Sequence, residues 1–334
     1  ENSIHYTINN IEAIKREPNS PNFSEFTPSV LVGLNKFHLE GINGQASNWK
    51  EFGKWRYDFL NNGKDQINEG TSLLVNNLVK DETDPIKKDK IIYEYVQNKT
   101  RYISVQEGVG GWKPISANEV DKLGYGDCKG LTNYTKALLD AVNVESYYTV
   151  IWAGDKKKNV EKDFFSMQGN HIILNLPTDN GDIWLECTSQ KVPFGYLGDF
   201  TDDRDALVVT PDGGIIKHTK VYTTEENLQK TTGNYAIDSI GTIKAKILIQ
   251  SKGIQYFDNL LMYDGENEKE LGGLFKEYFS NINNIKFSKI DVNNNREENK
   301  FEENLEFTAS DYTSFSGNQM LVTINAFNKN SYLP

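Results

Sequence analysis

The chain has 334 residues, enough for two or three domains, and its 37% hydrophobic and 12% aromatic content is sufficient for packed cores. A net charge of -11 argues against a nucleic-acid phosphate partner, and no apolar run approaches the ~20 residues of a membrane-spanning helix. Two cysteines make no disulfide framework, and with no signal-peptide pattern after Glu1 the sequence leaves export open.

Residues 1–60 read as the C-terminal part of a β-rich domain plus a linker. Ile4-His5-Tyr6-Thr7-Ile8 alternates like a strand, a stretch containing Pro and Asn runs from Pro18 to Pro28, and residues 29–32 and 37–39 are further strand-like runs. His5 and His38 fall inside such runs and read as packed or surface histidines. Trp49, Phe52, Trp55 and Phe59 recur at helical spacing, which predicts a helix over 49–60 whose aromatic stripe faces a core. Helices over 64–79 and 85–98 follow. In the second, Asp84 caps, Pro85 takes the first turn, and Ile91, Ile92, Tyr95 and Val96 form the buried face. Residues 101–106 look like a short strand leading to the glycine-rich loop 108–111. That loop lacks the Lys-Ser/Thr tail of a phosphate cradle and is better suited to seating Trp112 on the rim of a cleft. Ser116-Ala117-Asn118-Glu119 is a capping box that opens a short helix.

Tyr125-Gly126-Asp127-Cys128-Lys129-Gly130 starts the next helix. Gly126 lets the chain turn sharply, Asp127 is a good N-cap, Leu131, Tyr134, Leu138 and Ala141 make one buried face, and Asn143 suits the far end. Cys128 is then the first helical residue, where unpaired N–H groups and the positive end of the helix dipole favour thiolate and can hold a developing oxyanion. A lone cysteine is otherwise a small buried hydrophobe, so a chemical role needs partners from elsewhere in the chain. Residues 147–152 suit a buried strand. Residues 155–163 form a charged loop, whose Lys156-Lys157-Lys158 is too short a run for nucleic acid and reads as a solvated tip or a substrate-side loop.

Asn170-His171 opens the run 171–176, and after the turn signal of 177–181 comes Asp182-Ile183-Trp184-Leu185-Glu186-Cys187-Thr188, so the two runs read as an antiparallel hairpin. Alternation sets Ile172, Leu174 and Leu176 on one face with Ile183, Leu185 and Cys187, and His171 with Glu186 on the other. A loop of residues 177–180 puts Leu176 opposite Gly181 and His171 directly opposite Glu186. A tight Asn180-Gly181 turn sets His171 against Gln190 instead, and Pro177, which cannot donate to a ladder, favours the wider loop. With Cys187 in the core and Cys128 facing a cleft, the two cysteines should not bridge.

His218, on a strand leaving this core, reads as structural. Beyond Tyr222 the pattern changes, and residues 223–334 read as a separate β-rich α+β domain. Strands are expected at 241–249, 285–292, 301–307 and 320–324, with a helix over 266–281 through Leu271, Leu274, Phe275, Tyr278 and Phe279. Asp291, Asn293, Asn295 and Glu302 have the spacing of a calcium loop, but Arg296 stands where glycine is required and both flanks read as strands, which favours a polar hairpin turn.

A helix-start cysteine, a strand histidine and a neighbouring carboxylate, in that chain order, supply nucleophile, base and orienter for acyl transfer. The contexts YGDCKG, NH and WLECTS resemble the transglutaminase-like superfamily of papain-type folds, and more narrowly bacterial cell-envelope proteins in which such a core follows a β-rich domain. Tyr95-Val96-Gln97, Arg101-Tyr102, Gly110-Gly111-Trp112-Lys113-Pro114 and Pro193-Phe194-Gly195-Tyr196-Leu197 extend the resemblance over residues 60 to 220. It implies an α+β fold with a papain/transglutaminase-like core at 61–222, helices packed on an antiparallel sheet, between the β-rich N-terminal segment and the C-terminal domain. It also implies a periplasmic or secreted cysteine peptidase or acyltransferase acting on a protein or peptide substrate.

In that reading Cys128 attacks, His171 carries the proton and Glu186 orients the imidazole, with no cofactor required. The backbone N–H of Cys128 is one oxyanion donor, and the side chain of Gln106 or Trp112 is the second. Glu186 stands where the family usually has aspartate; its longer side chain still accepts from an imidazole, with a different reach. The residues leave open whether the acyl group passes to water or to an amine. They also leave open a catalytically weak or inactive cleft that grips an extended peptide or a cell-envelope ligand. A metal site on Cys128 and His171 lacks the further ligands zinc recruits. The oligomeric state is not encoded.

Overall fold

The computed structural model describes residues 3–15, 17, 20–21, 23–104 and 111–328. By contact density the described residues up to Leu31 form one unit and Val32–Asn328 a second. In the first, helix α1 (Phe23–Phe26) is the regular element among the described residues, and the strand expected at 4–8 is absent. Ile4, Tyr6 and Ile8 are exposed, and with no ladder partner among the described residues the backbone there bonds to water and gains nothing from a strand geometry.

The second unit contains two helix-on-sheet regions. The first begins with hairpin β1 (Lys36–Leu39) and β2 (Ile42–Gln45), then helix α2 (Trp49–Trp55), capped by the Asn48 side chain accepting from the Glu51 N–H. Helix α2 runs directly into a π-helical turn, Arg56–Leu60, closed by the Asn61 N–H on the Arg56 carbonyl at 2.9 Å. This turn corrects the aromatic stripe. Trp49, Phe52 and Trp55 are buried as expected, but Phe59 is 56% exposed and Leu60 takes the inward place. Arg56 keeps the inward face four residues after Phe52, and the π turn, which spends an extra residue, rotates the positions after it and brings Leu60 inside in place of Phe59.

Helices α3 (Glu69–Leu78) and α4 (Pro85–Lys99) are capped by Asn68 and Asp84. The start expected at 64 moves to Glu69, because the Lys64 carbonyl is taken by the Ala117 N–H (2.7 Å) and the Asn133 side chain (2.6 Å). On α4 the buried face is Asp89, Ile92, Tyr93, Val96 and Gln97; Ile91 and Tyr95 are half-buried. Strand β3 (Arg101–Tyr102) pairs in parallel with β4 (Tyr125–Gly126). Between them lies α5 (Ala117–Leu123), with both halves of the Ser116/Glu119 capping box formed.

Helix α6 (Cys128–Ala141) packs on a five-stranded antiparallel sheet of order β7-β6-β5-β8-β9, made of β5 (Tyr147–Ile151), β6 (His171–Leu176), β7 (Ile183–Leu185), β8 (Asp205–Thr210) and β9 (Gly213–His218). Leu131 and Leu138 of α6 share a core with Leu174, Leu176, Leu185 and Cys187. The aromatic residues of α2 join Val150, Ile172 and Leu207 in another. Ile173, Trp184 and Val208 are covered by Leu197.

The second region is a four-stranded antiparallel sheet, β10-β11-β13-β12, formed by β10 (Gln229–Ile237), β11 (Ile243–Ser251), β12 (Ile285–Asn295) and β13 (Lys300–Ala309). Helices α7 (Ile254–Tyr263) and α8 (Glu268–Tyr278) join its core through Tyr256, Leu260, Leu271 and Phe275, and a small hairpin comes after, β14 (Ser314–Ser316) and β15 (Gln319–Leu321). Asp291, Asn293 and Asn295 lie along β12, with Asn293 opposite Glu302.

The β12–β13 turn reaches back to the first region. Arg296 donates to the Lys191 carbonyl at 2.6 Å and to the Gln97 side-chain oxygen at 2.9 Å, and Glu297 pairs with Lys90. Gln97 in turn donates to the carbonyls of Ser189 (2.8 Å) and Val192 (2.7 Å), while the Tyr93 hydroxyl donates to that of Glu186 at 2.9 Å. The segment after Glu186 is therefore held from both sides. The architecture is mixed α/β, with helices packed on antiparallel sheets.

Candidate active site

Cys128 is the first residue of α6. The Asp127 carboxylate accepts the Gly130 N–H at 2.9 Å, which caps the helix, and is paired with Lys129. The cysteine is half-buried against the aromatic cluster that contains Tyr148 and Val150.

His171 opens β6 opposite Ile151. Asn170 fixes that end of the ladder, because its side chain accepts the Ala153 N–H at 2.6 Å and donates to the Ala153 carbonyl at 3.0 Å. The imidazole is 8% exposed and meets the Phe200 ring edge-on at 5.5 Å. Its Nε2 lies 2.9 and 3.1 Å from the two Glu186 carboxylate oxygens. Nε2 is thereby engaged, Nδ1 is the remaining ring nitrogen, and His171 and Cys128 line the same cavity.

The contact forms in a register different from the one expected. Leu176 pairs with Ile183 and Leu174 with Leu185, so the loop is 177–182 rather than 177–180. Extended by the same rule, the ladder sets His171 opposite Thr188 and Glu186 on the diagonal. A slip of two residues keeps each side chain on its face, and the chain turns through Cys187 and Thr188 just after β7, which lets the glutamate reach across. Thr188 then serves the carboxylate directly, its hydroxyl 2.5 Å and its backbone N–H 3.2 Å from Glu186 Oε1.

Burial opposes charge on both partners, and each partner overcomes it for the other. For His171, burial acts against the imidazolium, but the Glu186 carboxylate and then the Cys128 sulfur outweigh it and push the ring up to about 10. For Glu186, burial acts against the carboxylate, but His171 and Thr188 hold it below the usual range. Cys187 is different. It is buried in the α6 core, and burial pushes its thiol up to about 12. Both cysteines are free.

Cys128, His171 and Trp112 line a cavity of about 370 Å³, together with Gly169, Asn170 and Arg56. Trp112 sits on this rim as expected, though its backbone N–H is engaged by the Glu40 carboxylate at 2.8 Å. Gln106 lies outside the described residues. A larger groove of about 1040 Å³, along α2 and the β1–β2 hairpin, contains none of the three candidate residues. His38 bonds Asn43 at 2.8 Å, and His218 bonds Asp205 (2.7 Å) and Asp203 (3.1 Å), both on the surface.

Two residues of the site escaped the sequence reading. Thr188 was legible in principle, as a hydroxyl residue two positions after an acid, the pattern of a local side-chain turn. Arg56 was also legible: it falls on the aromatic face of α2, four residues after Phe52, where a charge is out of place.

Among the described residues, no group of three or more His, Cys, Asp or Glu side chains converges to hold a metal ion, and no helix is long and apolar enough to cross a membrane. No family model and no curated protein matches the chain. Among solved structures, a "putative protease" from Parabacteroides distasonis is similar at a TM-score of 0.38 and 10% identity, over 77% of this chain and 52% of that one. The chain thus spans about half the length of that structure, and a likeness of this size leaves the fold family unassigned.

Proposed function

We propose that the chain is a thiol acyl-transfer enzyme of the papain/transglutaminase type, acting on protein or peptide amides in the periplasm or outside the cell. Cys128 is the nucleophile, His171 the proton carrier and Glu186 its orienter. The observation that carries this reading is a buried imidazole with a carboxylate 2.9 Å from Nε2, in one cavity with the thiol that starts α6.

The Cys128 sulfur attacks the amide carbonyl, and the C–O electrons move onto oxygen beside the first N–H groups of α6. When the tetrahedral adduct collapses the C–N bond breaks, and His171 gives its proton to the leaving amine. Water or a second amine then attacks the thioester, His171 takes up that nucleophile's proton, and the C–S bond breaks to release the sulfur. Glu186 keeps Nε2 engaged throughout, so the ring neither flips nor loses the tautomer the thiol needs. Cys187, in the core, takes no part.

Alkylation by iodoacetamide at pH 6 tests the reading. Cys128 is expected to react at least tenfold faster than free cysteine, with Cys187 unmodified, and the excess is expected to vanish in a folded His171→Gln variant. A Cys128 no faster than free cysteine rejects the enzyme and leaves a peptide-gripping cleft in its place.

A further inference from the structure

The protein carries a net charge of -11, yet among the described residues the cavity that holds Cys128 is lined by Arg56, Lys129 and His171 and by no aspartate or glutamate. Lys129 is neutralised by Asp127. Arg56 has no such partner among the described residues. It is 1% exposed, with its guanidinium over the rings of Tyr148 (5.2 Å) and Trp112 (5.9 Å). Its Nη2 donates to two neutral acceptors, the Trp112 carbonyl at 3.2 Å and the Tyr148 hydroxyl at 3.4 Å. Its Nε and Nη1 have no partner among the described residues.

A buried guanidinium is ordinarily paired with an acid, because desolvation is costly and removing the counter-ion leaves that cost standing. Aromatic faces and neutral oxygens return only part of it. Arg56 lines the cavity that holds the nucleophile, so an anion entering that cavity comes next to both. We propose that the acyl-donor substrate carries a carboxylate, drawn into this cavity and held by the charge of Arg56 while Cys128 attacks the neighbouring carbonyl. The proposal rests on the thiol reading above and narrows its substrate class. The carboxylate belongs either to a peptide C-terminus or to an acidic side chain, which offer the same two oxygens.

Two reagents of similar size separate the possibilities. Iodoacetate carries a carboxylate and iodoacetamide does not. The ratio of their rates at Cys128 is expected to exceed that of the neutral model thiol N-acetylcysteinamide at least tenfold, and to fall several-fold in Arg56→Met. Should Arg56→Met not fold, Arg56→Gln, which keeps an N–H donor and loses the charge, gives the same reading. A ratio equal to the model thiol's, or one that survives in a folded uncharged variant, overturns the proposal and leaves the thiol reading intact. Iodoacetamide no faster than with the model thiol removes both. Protection of the thiol by an amidated glutamyl peptide assigns the carboxylate to a side chain, and protection by a free-carboxyl alanyl peptide assigns it to the terminus. Protection by neither, or equally by an amidated alanyl peptide, counts against it.

Discussion

In the sheet of residues 229–309, β11 and β13 alternate between core and solvent, and charged side chains such as Lys246 and Glu306 meet on the wet face at 2.9 Å. In the sheet of residues 147–218, β6 is buried at each of its positions, and His171, Glu186 and Arg204 are enclosed with partners around them. Both regions pack helices on an antiparallel sheet, so the layering alone does not separate them. What separates them is where desolvated polar groups are kept. An alternating strand needs none, and a strand covered on both faces can hold an ion pair out of water, where it is strengthened and can do chemistry. The C-terminal region keeps a single buried acid among its described residues, Glu303, with one carboxylate oxygen unpartnered.

The division predicts that one region can be weakened without touching the thiol. Phe307 packs against Phe279, Phe287 and Phe327, and Phe307→Ala is expected to cost about 3–5 kcal/mol in urea unfolding. Cys128 alkylation in the folded protein should not change; a matching loss of thiol reactivity would break the division.

Glu303 gives the next largest effect. Burial pushes its carboxyl from 4.5 up to about 8, so the folded state holds a proton that the unfolded state releases, and stability falls as pH rises from 4.5 through 8. Glu303→Gln should remove its share of that slope and leave a second large one at higher pH. The second belongs to His171, raised from 6.5 to about 10, whose contribution is complete below 6.5 and lost as pH rises through 10. Unfolding curves at several pH values check both windows, and a slope that persists unchanged in Glu303→Gln contradicts the assignment.

Within the first region, Glu186→Asp shortens a side chain that reaches His171 on a diagonal. Iodoacetamide alkylation at pH 6 is expected to slow about tenfold, or ~1.4 kcal/mol in the barrier; full activity would mean that the extra methylene is not needed. The smallest effect is that of Thr188→Val, which removes the hydroxyl bond to Glu186 and is expected to lower stability by about 1 kcal/mol. A change within measurement error would show that the backbone N–H suffices.

Local signals in the sequence carried most of the site. The Asp127 cap, the Ser116/Glu119 box and the apolar face of α6 are decided by neighbours three or four residues away, and they appear where expected. Faces survived as well, since His171 and Glu186 share one. Register did not, because loop length is set by how the strand ends pack and not by Pro177 alone. The stripe of α2 failed at Phe59 for a related reason. No residue in 49–60 announces a π turn, and the exchange of Phe59 for Leu60 at the inward place comes with it. The N-terminal run alternates well but has no neighbour to pair with among the described residues, which a pattern within one segment cannot reveal.

The grip of Arg296 on Lys191 and Gln97 has a bearing on how the protein can be dissected. A boundary near residue 222 looks like a seam, yet the hairpin beyond it braces the segment that follows Glu186. An engineer trimming the chain to its first helix-on-sheet region has no clean place to cut: whatever is removed at the seam is also scaffolding for the segment upstream.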